Sequence, residues 1–142
     1  MSPNYEYNLN KQSKLRRKDL LYPELSYQII GILFDVSNKL GYGYQEKYYQ
    51  KAVSTRLKET NLLFKEQVPI EISFDKNPIG RYFLDFLIEN KIILEIKKMD
   101  KFLKNNTDQV YAYLKATGLE LGILANFTKK GLQFKRIINL KS

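Results

Sequence analysis

The sequence contains neither cysteine nor histidine among its 142 residues. The absence of cysteine excludes a disulfide framework, thiolate zinc sites and cysteine nucleophiles. The absence of histidine excludes Ser-His-Asp hydrolysis, histidine–metal sites and imidazole acid–base chemistry. Any catalysis must therefore use carboxylates, lysines, tyrosines and a hard cation bound by oxygen ligands.

Long apolar runs are also missing. No run approaches the roughly 18 residues that a membrane span needs, and the polar N-terminus lacks the apolar segment of a secretory signal. We therefore expect a cytoplasmic protein with no membrane partner. The length fits one domain. Residues 1–20 are polar and show no sustained periodicity, which predicts a basic flexible arm followed by a single domain over residues 21–142.

The charge is strongly basic, with 24 Lys and Arg against 15 Asp and Glu, a formal net charge of +9. Such a balance favours polyanionic partners, since each neutralised phosphate releases counterions. Basic residues follow the third predicted strand and fill the C-terminal region, where phenylalanines interleave with them. This arrangement predicts either a nucleic-acid track with base stacking or a solvated charged face beside core aromatics. The residues concerned are Lys98, Lys101, Lys104, Lys129, Lys130, Lys135, Arg136 and Lys141, with Phe102, Phe127 and Phe134.

Periodicity predicts three helices and five strands. Apolar residues recur at three- and four-residue steps over 24–40, which indicates an amphipathic helix. Short alternating or apolar runs between turn residues indicate the strands. The predicted order is ααβββαββ, an α/β (mixed α+β) domain whose first three strands form an antiparallel meander. The further predicted helices cover residues 44–60 and 107–117, and the strands cover 64–74, 79–88, 92–97, 119–125 and 133–138.

Two carboxylates and a lysine are predicted to share one part of this meander. Asp85 is the only charge in the stretch Tyr82–Ile88, whose two faces are both apolar, so we expect this stretch to be covered on both faces. Glu95 and Lys97 project from the same face of the next strand, and the short turn between the strands places Asp85 beside Glu95. Carboxylate oxygens can bind Mg²⁺, and a lysine beside them can orient a water or stabilise a transition state. The alternative is a solvated ion pair, because this spacing is common by chance.

The segment Gly43–Tyr49 resembles the G-x-x-E-x-x-Y signature of the GxxExxY protein family, which is placed in the PD-(D/E)xK nuclease superfamily. The resemblance extends from about Leu25 to Asn139. Further matches follow in order: Lys39–Gly41 before the signature, then Gln67–Pro69, Leu84–Leu87, Leu94–Lys97, the Q-x-x-x-Y helix at Gln109–Leu114, and Gly122–Phe127.

The resemblance implies a restriction-endonuclease-like core and a nuclease that hydrolyses phosphodiester bonds with Mg²⁺ or Mn²⁺. DNA is favoured over RNA as its substrate. Asp85 and Glu95 would be the strand ligands of the metal, Glu46 a helical acid that reaches it, and Lys97 the catalytic lysine. The substrate side of the site would be lined by Gln109, Tyr113 and Lys98.

Alternatives remain open for several positions and for the function. Gln109 follows Asn106 at the spacing of a helix capping box. Tyr113 and Tyr49 would also suit core packing, and Gly43 a turn. The domain would also suit a non-catalytic binding module for nucleic acid or protein, including a subunit of a repair or defence complex. The oligomeric state is open between monomer and homodimer.

Overall fold

The computed structural model describes residues 21–101 and 104–141. The predicted arm (residues 1–20) and Phe102 lie outside the described residues. The helices are α1 (Pro23–Leu40), α2 (Glu46–Lys58) and α3 (Lys104–Thr117). The strands are β1 (Phe64–Phe74), β2 (Asn77–Ile88), β3 (Ile92–Lys97), β4 (Leu121–Thr128) and β5 (Gly131–Ile138).

The five strands form one mixed sheet in the order β1-β2-β3-β4-β5. All neighbouring pairs are antiparallel except β3 and β4, which are parallel. A parallel pair needs a crossover connection, and α3 lies in the segment that joins these two strands. The predicted element order ααβββαββ and the mixed sheet are confirmed.

The chain divides between Ile30 and Gly31 into two compact units. In the described part of the first unit, the amide of Ser26 donates to the carbonyl of Tyr22. The second unit, Gly31–Ser142, contains the whole sheet, and the features below belong to it. Within the described ranges, no helix combines the length and apolarity that a membrane crossing requires.

Helices α2 and α3 each place apolar side chains against the sheet within the second unit. Val110 and Leu114 of α3 join a buried cluster with Ile93 and Leu124 of the sheet. Tyr49 of α2 stacks on Phe127 of β4 with 4.5 Å between ring centroids. Strand β4 is buried along its whole length, as expected of a strand in a parallel pair covered on both faces.

The two halves of β2 have different surroundings. It is buried only from Leu84 onward, and Asn77–Phe83 is exposed. The prediction that Tyr82–Ile88 is covered on both faces is therefore wrong at Tyr82 and Phe83, which are exposed. The reason is topological, because β3 pairs only with Phe86–Ile88, whereas β1 pairs along almost all of β2.

Helix α3 begins at Lys104, three residues before the predicted start. The capping box proposed for Asn106 and Gln109 is therefore wrong. Asn106 lies inside the helix, is buried, and donates through Nδ2 to Sδ of Met99 at 2.9 Å. This contact connects the start of α3 to the chain that leaves β3.

Gly122 allows α3 to approach β4 closely. A methyl group on Gly122 would lie 2.6 Å from Cγ1 of Val110, well inside van der Waals contact. We expect Gly122→Ala to lower the free energy of unfolding by about 1–3 kcal/mol, because a β-branched neighbour cannot move aside without strain. Urea denaturation measures this change.

Matched variants separate crowding from general strand effects. Adding Val110→Ala to Gly122→Ala should recover part of the loss, because the crowding atom is removed. Gly80→Ala in β2 meets no atom within 4 Å and should stay within about 1 kcal/mol of the parent. A Gly122→Ala variant as stable as the parent would contradict the packing.

Candidate active site

The candidate site lies where β2 and β3 separate. Their main-chain pairing extends from Ile88–Ile92 to Phe86–Leu94, and the next residues on the two strands are Asp85 and Glu95. Beyond that point, the strand amides donate to the Asp85 and Glu95 side chains and not to the opposite backbone. The amide of Asp85 donates to Oε1 of Glu95 at 3.0 Å, and the amide of Ile96 donates to Oδ2 of Asp85 at 2.8 Å. Both carboxylates are therefore fixed beside each other by the backbone of the diverging strands.

The two carboxyl groups are costly to ionise together. Glu95 is 5% exposed, and this burial, followed by the charge of Asp85, raises its pKa to about 8. Burial also raises the pKa of Asp85, although the Ile96 hydrogen bond and the charge of Lys97 partly oppose the shift. Desolvation and a neighbouring like charge both disfavour a carboxylate. The pair therefore favours either a proton or a cation between the two groups.

Lys97 and Glu46 lie within electrostatic reach of this pair. The positive charge of Lys97 opposes the rise in pKa of all three carboxyl groups, those of Glu46, Asp85 and Glu95. Glu46 is the first residue of α2, and the nearby backbone of Lys98 acts to lower the pKa of its carboxyl group. Burial and the charge of Asp85 nevertheless raise the pKa of Glu46. The structure thus brings together the four residues that the sequence singled out.

Two glutamine side chains at the site were missed by the sequence analysis. Nε2 of Gln50 donates to Oδ1 of Asp85 at 3.3 Å. Gln50 follows Glu46 by four residues, so it lies one turn later on the same face of α2, and that spacing was the available signal. The side chain of Gln67 also acts to lower the pKa of Asp85. The backbone of Gln67 has φ of +49°, an irregularity that no sequence pattern indicated.

Tyr113, one of the residues predicted to line the site, lies within electrostatic reach of the carboxylates. It is buried, and burial together with the charges of Glu95 and Asp85 raises its pKa. It also belongs to the core cluster and packs against Tyr82, with 5.2 Å between the rings. Gln109, one helical turn earlier, is half-buried, and its role stays a prediction.

Comparison with known proteins identifies the superfamily and the fold of this chain. The sequence profile of the PD-(D/E)XK nuclease superfamily matches residues 23–137. The chain belongs to the PD-(D/E)XK nuclease superfamily. The fold is also similar to the crystal structure of SSO0001, with a TM-score of 0.52, 22% sequence identity and 92% of this chain covered. This chain spans 64% of the length of that one, and the likeness shows the fold alone. No curated protein sequence matches.

In this superfamily member, the loop before α2 positions Glu46. The hydroxyl of Tyr49 donates to the carbonyl of Gly41 at 2.6 Å, which ties the loop to the helix that follows. Gly43 has φ of +118°, a conformation that side chains with Cβ rarely adopt. Tyr49 and Gly43 therefore have the packing and turn roles that the sequence analysis kept open. Both help to fix the entry of α2 and thus its first residue.

The donor set fits a hard divalent cation. Each of Asp85 and Glu95 keeps a second carboxylate oxygen outside its hydrogen bond with the strand backbone. Within residues 21–101 and 104–141, no group of three His, Cys, Asp or Glu side chains converges closely enough to hold a metal. Mg²⁺ is nevertheless commonly bound by one or two carboxylates, with water and substrate phosphate as its other ligands. Asp85 and Glu95 suffice for that arrangement, with Glu46 near them.

The aromatic residues near the site differ from those expected. The prediction that Phe127 stacks on bases is wrong, because it is buried beneath Tyr49. Phe134 contacts Phe34 edge-on, with 6.1 Å between ring centroids. The exposed rings near Glu46 are instead those of Tyr42, Tyr44 and Tyr48. The sequence feature that could have indicated these exposed rings is the run of tyrosines within and beside the G-x-x-E-x-x-Y segment.

Proposed function

We propose that this protein is a divalent-cation-dependent nuclease that hydrolyses phosphodiester bonds, with DNA favoured over RNA. The observation that carries the proposal is the buried Asp85–Glu95 pair within reach of the Lys97 charge. Membership of a nuclease superfamily points to the same chemistry, while fold alone does not establish activity. The net charge of +9 supports a polyanionic substrate.

Each side chain has a distinct part in this proposal. Asp85 and Glu95 would hold Mg²⁺ or Mn²⁺, and Glu46, at the start of α2, would be the helical acid that reaches the ion. When bound, the ion lowers the pKa of a coordinated water and neutralises charge on the phosphate. Lys97 orients the attacking water and stabilises the negative charge that develops on the phosphate oxygens.

The proposal includes membership of the GxxExxY family within the superfamily. Its support is the Gly43–Tyr49 segment, whose glycine and tyrosine hold the loop that places Glu46. The signature thus has a physical purpose in this fold. Gly43 allows the turn, the Tyr49 hydroxyl holds it by a hydrogen bond to Gly41, and Glu46 lies within electrostatic reach of Lys97.

A nuclease assay with a Lys97→Met variant tests the proposal. The parent should cleave labelled DNA with Mg²⁺ or Mn²⁺ and not with EDTA. Lys97→Met should lower the cleavage rate by about 100- to 1000-fold, the size expected for losing one group that stabilises transition-state charge. Calorimetric titration should still detect Mn²⁺ binding, because the carboxylates remain.

The control is Lys58→Met, which removes an equal charge from the exposed last residue of α2, roughly 18 Å along that helix from Glu46. It should cleave DNA within about twofold of the parent, because exposed charges distant from the chemistry are screened. If the parent binds DNA in a salt-sensitive manner, with no cleavage under any divalent cation, the nuclease proposal is wrong. The binding module would then be the function.

A further inference from the structure

An exposed tyrosine with two lysines borders the candidate site. The Tyr42 ring is 40% exposed. The Nζ atoms of Lys98 and Lys129 lie 5.1 Å and 6.0 Å from its centroid. We call Tyr42, Lys98 and Lys129 the Tyr42 platform. Lys98 directly follows Lys97 in the chain and its backbone acts to lower the pKa of Glu46, so this platform adjoins the site.

A second group of the same composition follows along the chain. The Tyr44 and Tyr48 rings are exposed and lie 6.3 Å apart, edge to face. The Nζ atoms of Lys47 and Lys51 lie 5.2 Å and 5.8 Å from the Tyr48 ring centroid. We call these four residues the Tyr48 platform. Its two tyrosines flank Glu46 in the sequence, one on each side.

An open groove continues from the Tyr42 platform. Its volume is about 250 Å³, and Lys129 belongs both to its lining and to the platform. The Tyr42 hydroxyl donates to Oδ1 of Asp100, another lining residue, at 3.4 Å. Lys130 adds an ammonium donor for a phosphate, whereas the Thr128 hydroxyl donates to the carbonyl of Gly131 at 2.8 Å. The remaining lining residue is Gln133.

Rings and ammonium groups in alternation suit one type of ligand. Lysine ammonium groups pair with phosphates, and tyrosine rings stack on base faces. Base faces are accessible in an unpaired strand, whereas a duplex buries them between neighbouring pairs. Stacking does not distinguish between bases, so such a surface would bind strands of many sequences.

We propose that the substrate is an unpaired nucleic-acid strand, with bases stacked on the Tyr42 and Tyr48 platforms. This inference rests on the proposed nuclease function and specifies its substrate. The strand would contact both platforms, and Lys98, which follows Lys97 directly in the chain, would bring a phosphate toward the carboxylates and Lys97. Selectivity for unpaired strands then comes from the tyrosines, and the lysines supply affinity for the backbone.

Binding without metal tests the inference separately from cleavage. Fluorescence anisotropy in EDTA would compare a labelled oligothymidylate of about 12 nucleotides with a duplex of equal length, a length within the usual range for such surfaces. The parent should bind the single strand more tightly than the duplex. Tyr42→Ala should weaken single-strand binding by about tenfold, the loss expected for one stacked base, and duplex binding by less than about threefold. Tyr42→Phe should retain most of the affinity, because the ring remains.

Tyr111→Ala is the matched control. The Tyr111 ring is also 40% exposed and carries the Nζ of Lys115 at 5.1 Å, but it lies on α3, outside both platforms. Its loss should change both affinities by less than about twofold. The inference is overturned if Tyr42→Ala and Tyr111→Ala behave alike, or if Tyr42→Ala weakens single-strand and duplex binding equally. Preference of the parent for the duplex would also overturn it.

The two proposals fail in different ways. Tyr42-dependent binding of the single strand, without cleavage under Mg²⁺ or Mn²⁺, would retain the binding surface and refute the nuclease. Metal-dependent cleavage that is insensitive to Tyr42→Ala on both substrates would retain the nuclease and refute the platforms.

Discussion

Replacing Asp85 with asparagine is expected to lower metal-dependent cleavage by about 10³-fold or more, which corresponds to about 4 kcal/mol of transition-state stabilisation. The asparagine would remove one of the two carboxylates that bind the cation. Calorimetric titration of Mn²⁺ should show binding to the parent at micromolar to millimolar strength and none to the variant. A quenched-flow or gel assay would measure the cleavage rate.

The fold should tolerate this change. Asparagine can keep an oxygen toward the amide of Ile96, and the Gln50 amide can rotate to accept from the new NH₂ group. The repulsion with Glu95 also disappears. We therefore expect the apo variant to be at least as stable as the parent, so lost activity would not reflect unfolding.

Asp75→Asn is the control for loss of one negative charge. Asp75 is exposed in the turn between β1 and β2 and has φ of +49°, a conformation that asparagine tolerates. Its cleavage rate and Mn²⁺ affinity should match those of the parent. An Asp85→Asn variant that cleaves as fast as Asp75→Asn would remove Asp85 from the site.

Replacing Glu95 with glutamine is expected to stabilise the metal-free protein by a few kcal/mol near pH 8. The folded-state pKa of Glu95 is about 8, against an ordinary value of 4.5. Between these two values the folded protein retains a proton that the unfolded chain has released. Folding stability in the parent therefore falls as the pH rises through this window, by up to about 1.4 kcal/mol per unit, and levels off above it.

The glutamine variant should lose much of this pH dependence. Its side chain has no charge to desolvate, and its NH₂ group can donate to the Asp85 carboxylate. Urea denaturation in EDTA between about pH 5 and pH 9 measures the slopes for both proteins. Glu71→Gln, at an exposed position on β1, should retain the parental slope. Equal slopes for the parent and Glu95→Gln would contradict the burial and repulsion assigned to this pair.

The carboxylate pair was predictable because strand geometry is local. Alternation along β3 places Glu95 and Lys97 on one face, and a short turn makes β2 its neighbour. The bounds of β1 and β3 agree with the predicted ranges of residues 64–74 and 92–97. The Glu46 role, by contrast, came only from the family resemblance, because no local pattern connects the start of α2 with the end of β3.

The roles of the two misassigned residues, Phe127 and Asn106, are decided by tertiary contacts. The sequence places Phe127 among lysines, which favoured an exposed stacking role, yet Tyr49 from α2 covers its ring. Asn106 has the spacing of a cap, yet α3 starts earlier and Asn106 bonds to Met99. Tyr49 is far from Phe127 in the sequence, and Met99, seven residues before Asn106, reaches it only because of how the chain turns into α3, so spacing did not indicate either contact.

The sequence by itself determined the chemistry that this protein can use and the order of its elements. Without cysteine or histidine, only oxygen ligands and lysines remain near the E-x-K strand, and hydrophobic periodicity establishes ααβββαββ. Tertiary structure decided which side chains meet. The divergence of β2 from β3 leaves backbone amides that the Asp85 and Glu95 side chains bind, and the packing of Tyr49 on Phe127 places α2 over the sheet. Burial then raises the pKa values of the carboxyl groups, an effect that depends on three-dimensional surroundings and not on residue type.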